Sequence, residues 1–201
     1  ELAMPIDSFH TEDYTVPDTA LTYRVECWVD DHMGRPEEEH DAHGPVVWCE
    51  YNPHDAEELE DLGCTDEQIM RYALYRPLFT SHRRNAPCAF YDYLGALHRA
   101  VKDWGCTEES APAAVEADYD YLAGWYANDW HWMGITVTKV DEHGDTTGES
   151  YSCGGYESLL LYNARDSRAD FYGVVEELIH ECEALNRSMA HRGQMELPLA
   201  A

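Results

Sequence analysis

Apolar and polar side chains alternate along Tyr23-Arg24-Val25-Glu26-Cys27-Trp28-Val29, a period of two that predicts a half-buried β-strand. Val46-Val47-Trp48-Cys49-Glu50-Tyr51 predicts a second strand, antiparallel to the first across a solvated loop from Asp30 to Pro45. The period then lengthens. Asp55 to Leu62 reads as a short acidic helix closed by Gly63. Thr65-Asp66-Glu67-Gln68 has the form of a capping box, in which the Thr hydroxyl and the Gln side chain satisfy each other's backbone amides. The helix it opens carries Ile69, Tyr72, Ala73 and Arg76 and is expected to stop before Pro77. Phe90, Tyr93, Leu94, Leu97 and Val101 recur at helical spacing up to Gly105. Gly-Cys-Thr-acid-Glu occurs at 63–67 and again at 105–109 with unlike flanks, which implies one helix-stop, helix-start solution used twice.

Val115, Tyr119, Leu122, Ala123 and Tyr126 form the apolar stripe of another helix. From Trp130 to Val140 the period returns to two and predicts a long strand. Asp141 to Asp145 predicts a turn, and Thr146 to Cys153 a return strand. Asp170 to Met189 is the clearest amphipathic helix, with Phe171, Val174, Val175, Leu178, Ile179, Cys182 and Leu185 on one side. The mixture predicts an α+β fold of antiparallel β-hairpins with helices packed on one face. Residues 1–20 read as an irregular arm, whose first three residues look like a cloning remnant. Residues 21–192 read as a single domain, whole or split into two subdomains near residue 105, and 193–201 as a tail freed by Gly193.

Charge changes this picture most. The 201 residues carry a formal net charge of −27 while 44% are hydrophobic, which argues for a folded chain despite the repulsion. Residues 1–62 hold 18 acids against Arg24 and Arg35. The densest acidic surface is expected at Glu37, Glu38, Glu39, Asp41, Glu57, Glu58, Glu60 and Asp61. Such an excess repels nucleic acid and anionic membranes and leaves basic protein surfaces as the complementary partner, including those evolved to grip DNA. A surface charged only for solubility, or for life in high salt, is the competing explanation. Arg76, His82, Arg83 and Arg84 form the main basic cluster, read as an internal counter-ion for the acidic N-terminal third.

Enzyme signatures are sparse. Seven widely spaced cysteines include no CxxC pair, so reduced thiols in a cytoplasm are expected. His32, His40 and His43 among acids lack the ligand spacing of a structural zinc site, and His180-Glu181-Cys182 lacks a second His one turn on. Cys153-Gly154-Gly155 could present a thiolate but reads better as a glycine turn, and no phosphate-binding loop is present. The expectation is a protein without catalytic residues, cofactor or metal. A small metal- or thiol-dependent enzyme is the alternative.

Two resemblances add to this. Gln194-Met195-Glu196-Leu197-Pro198-Leu199 resembles the short peptide with which bacterial proteins dock on the replication sliding clamp. That resemblance implies a partner-binding role for Gln194, Met195, Leu197, Pro198 and Leu199, with Pro198 favouring an extended bound form. The segment Asp129 to Val137, its hairpin and Tyr156-Glu157-Ser158 resemble uncharacterised phage and plasmid accessory proteins, which implies a mobile-element origin. The expected function is therefore an acidic phage or mobile-element protein that binds a host DNA-processing machine. It would reach the sliding clamp through its tail, or a basic DNA-binding surface by DNA mimicry in the manner of anti-restriction or anti-CRISPR inhibitors. A halophilic accessory protein is the non-inhibitory alternative.

Overall fold

The computed structural model describes residues 8–49, 63, 65, 68–70, 74–80, 87–162 and 165–195. The chain is α+β and divides into two compact units: residues 1–33 with 131–201, and residues 34–130. The second unit is thus an insertion within the first, so the boundaries fall at 33/34 and 130/131 and not near 105. The first unit's sheet accounts for this, because Val29 pairs with Met133 and the Asp30 amide donates to the Trp132 carbonyl at 3.0 Å. The chain leaves and re-enters between two hydrogen-bonded neighbours.

The first unit holds β1 (Ser8–Thr15), β2 (Thr22–Val29), β6 (Trp132–Val140) and β7 (Tyr151–Glu157), an antiparallel sheet in the order β1-β2-β6-β7. On one face, Tyr23, Val25 and Cys27 of β2 and Ile135 and Val137 of β6 are buried against Phe171, Val175, Leu178, Ile179 and Cys182. Those last five belong to the long helix at Arg165–Met195. Their spacing is the amphipathic stripe expected from the sequence, and burying each such side chain stabilises by about 1.5–3 kcal/mol.

Residues 8–15, read as irregular, form an edge strand. Their side chains are mostly polar, which hides the period yet suits an edge. Asp13 sits opposite Arg24, with the pair at 3.3 Å, and the Thr15 and Thr22 hydroxyls lie 3.1 Å apart. The return strand also begins later than expected, at Tyr151, and takes in Gly154 and Gly155, which are strand residues and not a turn. A bulge falls there: Met133 pairs with Tyr156 but Ile135 with Cys153. Gly155 adopts φ +84°, and a Cβ on Gly154 would lie 2.1 Å from Asp30 Oδ2, which accepts from the Gly155 amide at 2.9 Å.

The second unit holds α1 (Pro36–Glu39), β3 (Val46–Cys49), β4 (Tyr75–Phe79), β5 (Cys88–Asp92), α2 (Tyr93–Lys102) and α3 (Ala111–Tyr126). Its sheet runs β3-β5-β4, so Val46–Cys49 pairs antiparallel with β5 and not with Tyr23–Val29. Two helical expectations also give way. Arg76 lies on β4, with Pro77 tolerated because that strand is an edge. Phe90 lies on β5, whose five residues are all buried, and a short apolar run of this kind has no period to tell strand from helix. Two capping expectations hold. The Gln68 amide donates to Thr65 Oγ1 at 3.3 Å while the Thr65 amide donates to Gln68 Oε1 at 2.9 Å. The second copy uses a serine: the Ser110 amide donates to Thr107 Oγ1 at 3.2 Å, and the Thr107 amide to Ser110 Oγ at 3.0 Å. Gly63 and Gly105 both take positive φ, at 78° and 73°.

In chain order, the helix at Leu159–Tyr162 is α4 and Arg165–Met195 is α5. Among the described residues, no helix is long and apolar enough to cross a membrane.

Candidate interaction surface

The segment Gly34 to Gly44, expected as a solvated acidic loop, is built into the second unit. Pro36 opens α1 and three glutamates follow, each put to a different local use. Glu39 Oε1 accepts from the Gly34 amide at 2.8 Å. Glu38 pairs with Arg35, whose hydrogen bond holds the Glu38 carboxyl below its usual range, and the Arg35 guanidinium lies 4.5 Å over the Trp48 ring. Glu37 turns inward. Its side chain is only 9% exposed and accepts from the Tyr126 hydroxyl at 2.5 Å, so it is no part of an outward acidic face. Asp41 is exposed. Glu57, Glu58, Glu60 and Asp61, the rest of the expected acidic surface, lie outside the described residues.

A network with no local sequence signal lies next to this segment. Asp118, on α3, accepts from three donors: His43 Nδ1 at 2.6 Å, the Gly44 amide at 2.8 Å and the Tyr91 hydroxyl at 2.6 Å. The His43 carbonyl accepts from Arg99 Nη1 at 2.6 Å, and its imidazole stacks on Tyr121 with centroids 5.2 Å apart. Gly44 is required here, because a Cβ would fall 2.4 Å from the Tyr91 hydroxyl oxygen. Burial first, and then the Asp118 bond, push the Tyr91 phenol well above its usual pKa. A histidine oriented by a carboxylate is half of a general-base arrangement. Among the described residues no hydroxyl or thiol nucleophile hydrogen-bonds this imidazole, and the four hydrogen bonds tie the segment to α3 and α2 directly and to β5 through Asp118. The network is a staple. Its members are spread from residue 43 to residue 121, which is why spacing did not reveal it.

The described arginines also have partners, although Arg168 and Arg187 stay largely exposed. Arg76 binds Glu116 through two bonds of 2.5 and 2.8 Å and lies 4.1 Å over Tyr93, so it neutralises α3 and not the acidic N-terminal third. His82, Arg83 and Arg84 lie outside the described residues. In the first unit Arg24 binds Asp13 and the Gly144 carbonyl, Arg168 approaches Glu12 and Tyr172, and Arg187 lies 3.5 Å from Glu183. Each unit nevertheless keeps exposed carboxylates: Glu108, Glu109 and Asp120 in one, Glu142, Asp145 and Glu181 in the other. The result is a surface rich in negative charge whose described guanidinium groups already have partners.

The tail is described only at its start. α5 continues through Gly193 to Met195, so this glycine does not end the helix, and Gln194 and Met195 are helical. Leu197, Pro198 and Leu199 lie outside the described residues. Cys27, Cys106, Cys153 and Cys182 are free thiols. Among the described residues no group of three or more His, Cys, Asp and Glu side chains could hold a metal ion. The chain matches no protein-family model, no curated protein and no solved structure at a significant level.

Proposed function

We propose that this protein is an acidic binding protein that docks on the basic, DNA-gripping surface of a partner protein and competes there with DNA. The observation that supports this reading most is the uneven use of charge. The arginines described above are tied into local carboxylate, carbonyl or aromatic contacts, while carboxylates on both units remain exposed. A surface of that sign repels phosphate and attracts the Lys- and Arg-rich faces of nucleic-acid-binding proteins. A mobile-element inhibitor of a restriction or CRISPR complex is a protein of this kind.

The test is capture of bacterial DNA-binding proteins on the immobilised full chain, followed by elution with duplex DNA. The reading expects DNA to displace the captured partner, and a partner that stays bound under excess DNA contradicts it. The hexapeptide Gln194 to Leu199 favours a second reading, attachment to the sliding clamp. Replacing Gln194 and Leu197 with Ala would abolish clamp binding on that reading while leaving the DNA-displaceable partner bound.

A further inference from the structure

In the first unit, a groove of about 730 Å3 runs between β7 and α5. That volume lies within the range of ligand sites, roughly 300–1,000 Å3. Its β7 side presents Tyr151 and Tyr156, and its α5 side presents Glu177 and Glu181, one helical turn apart and both exposed. Gly173 opens the helix wall, since a Cβ there would meet nothing within 4 Å. Among the described residues β7 is the outermost strand of its sheet, with no strand beyond it. At about 3.3 Å per residue the stretch from Ser152 to Tyr156 offers an edge of about 17 Å.

We infer that this groove seats an extended, arginine-bearing segment of the partner, laid along β7 with its guanidinium groups between the two tyrosine rings and Glu177 and Glu181. Three features converge on that occupant. The strand edge supplies main-chain hydrogen bonds to any extended chain, which is the general mode of strand addition. The carboxylate pair selects for positive charge and rejects nucleic acid and acidic peptides. Aromatic faces beside carboxylates suit a guanidinium, which stacks on a ring while hydrogen-bonding at its edge. The inference rests on the proposed function, for it names where, and by what chemistry, a basic partner is held.

The experiment uses the full chain and a labelled peptide of roughly nine residues that alternates Arg and Val, long enough to span the edge. Binding is followed by fluorescence anisotropy, and backbone amide shifts map the contact. The expected result is saturable binding with shifts centred on Tyr151 to Glu157 and on the α5 turn carrying Glu177 and Glu181. Glu177→Gln with Glu181→Gln is expected to weaken it about tenfold or more, as loss of two charge contacts implies. Asp18→Asn with Asp103→Asn, exposed acids of equal charge outside the groove, should leave it unchanged. Equal weakening by the two double variants, shifts away from β7 and α5, or no binding each overturns the inference. If the peptide fails while a DNA-displaceable basic partner still binds the full chain, the groove proposal falls and the proposed function stands.

Discussion

Asp118 gathers three donors of the second unit on one carboxylate. Replacing it with Ala leaves the Tyr91 hydroxyl, the Gly44 amide and the His43 ring without their shared acceptor in a site where the carboxylate is only 9% exposed. An orphaned buried donor costs about 1–3 kcal/mol, so a total loss of about 3 kcal/mol or more in urea unfolding is expected, with Asp118→Asn intermediate. A loss below about 1 kcal/mol would show that water replaces the carboxylate without cost. A second residue-scale expectation concerns alkali. Burial, and then Glu12, push the Cys27 thiol from 9.0 up to about 12, and burial with the Glu176 bond pushes the Tyr14 phenol from 10.0 to about 12. Both groups hold their protons to higher pH when folded than when unfolded. Their contribution to stability is therefore complete below about pH 9 and is lost as pH rises toward 12. Thermal melts across that window should fall with pH, and Tyr14→Phe should flatten the part above pH 10. A melting temperature independent of pH would contradict both assignments.

Among the elements, the sequence was most legible where one face of a helix or strand is buried and the other wet. β2, α3 and the core stretch of α5 are legible in this way, because alternating exposure writes a period into the chain, whereas β6 is legible from its alternating apolar side chains although nearly all of it is buried. Two other strands are not legible. β1 is polar because it is an edge, and β5 is buried throughout because it is central, so neither shows a period. Pairing was not legible either: Val46–Cys49 looks like a partner for β2, but the choice of β5 depends on contacts that only the folded insertion supplies. Within the first unit, Gly134 of β6 faces Trp28 of β2 through a contact equally hidden from spacing. A Cβ there would lie 2.1 Å from the Trp28 indole, which donates from Nε1 to Thr136 Oγ1 at 3.1 Å. Gly134→Ala should destabilise by about 1–3 kcal/mol, as overpacking does. Pairing it with Trp28→Leu should cost less than the sum of the two single changes. Simple additivity in that double-mutant cycle would show that the indole does not set the limit.

At the scale of the whole molecule, the charge is the property that composition reveals in full and spacing does not locate. The formal −27 is plain in the sequence, and so is the acidic run at 37–41. The inward turn of Glu37, the capture of Arg76 by Glu116 and the carboxylate pair beside β7 are not, because each depends on residues distant in the chain. The central claim, that exposed carboxylates on both units engage a basic protein, is tested most directly by titrating the captured partner with the full chain at several salt concentrations. Charge attraction between exposed groups is screened over about 8–10 Å near physiological ionic strength. The affinity should therefore fall steeply between about 50 mM and about 500 mM salt, with most of the change in the association rate. An affinity that stays constant across that range would contradict the account.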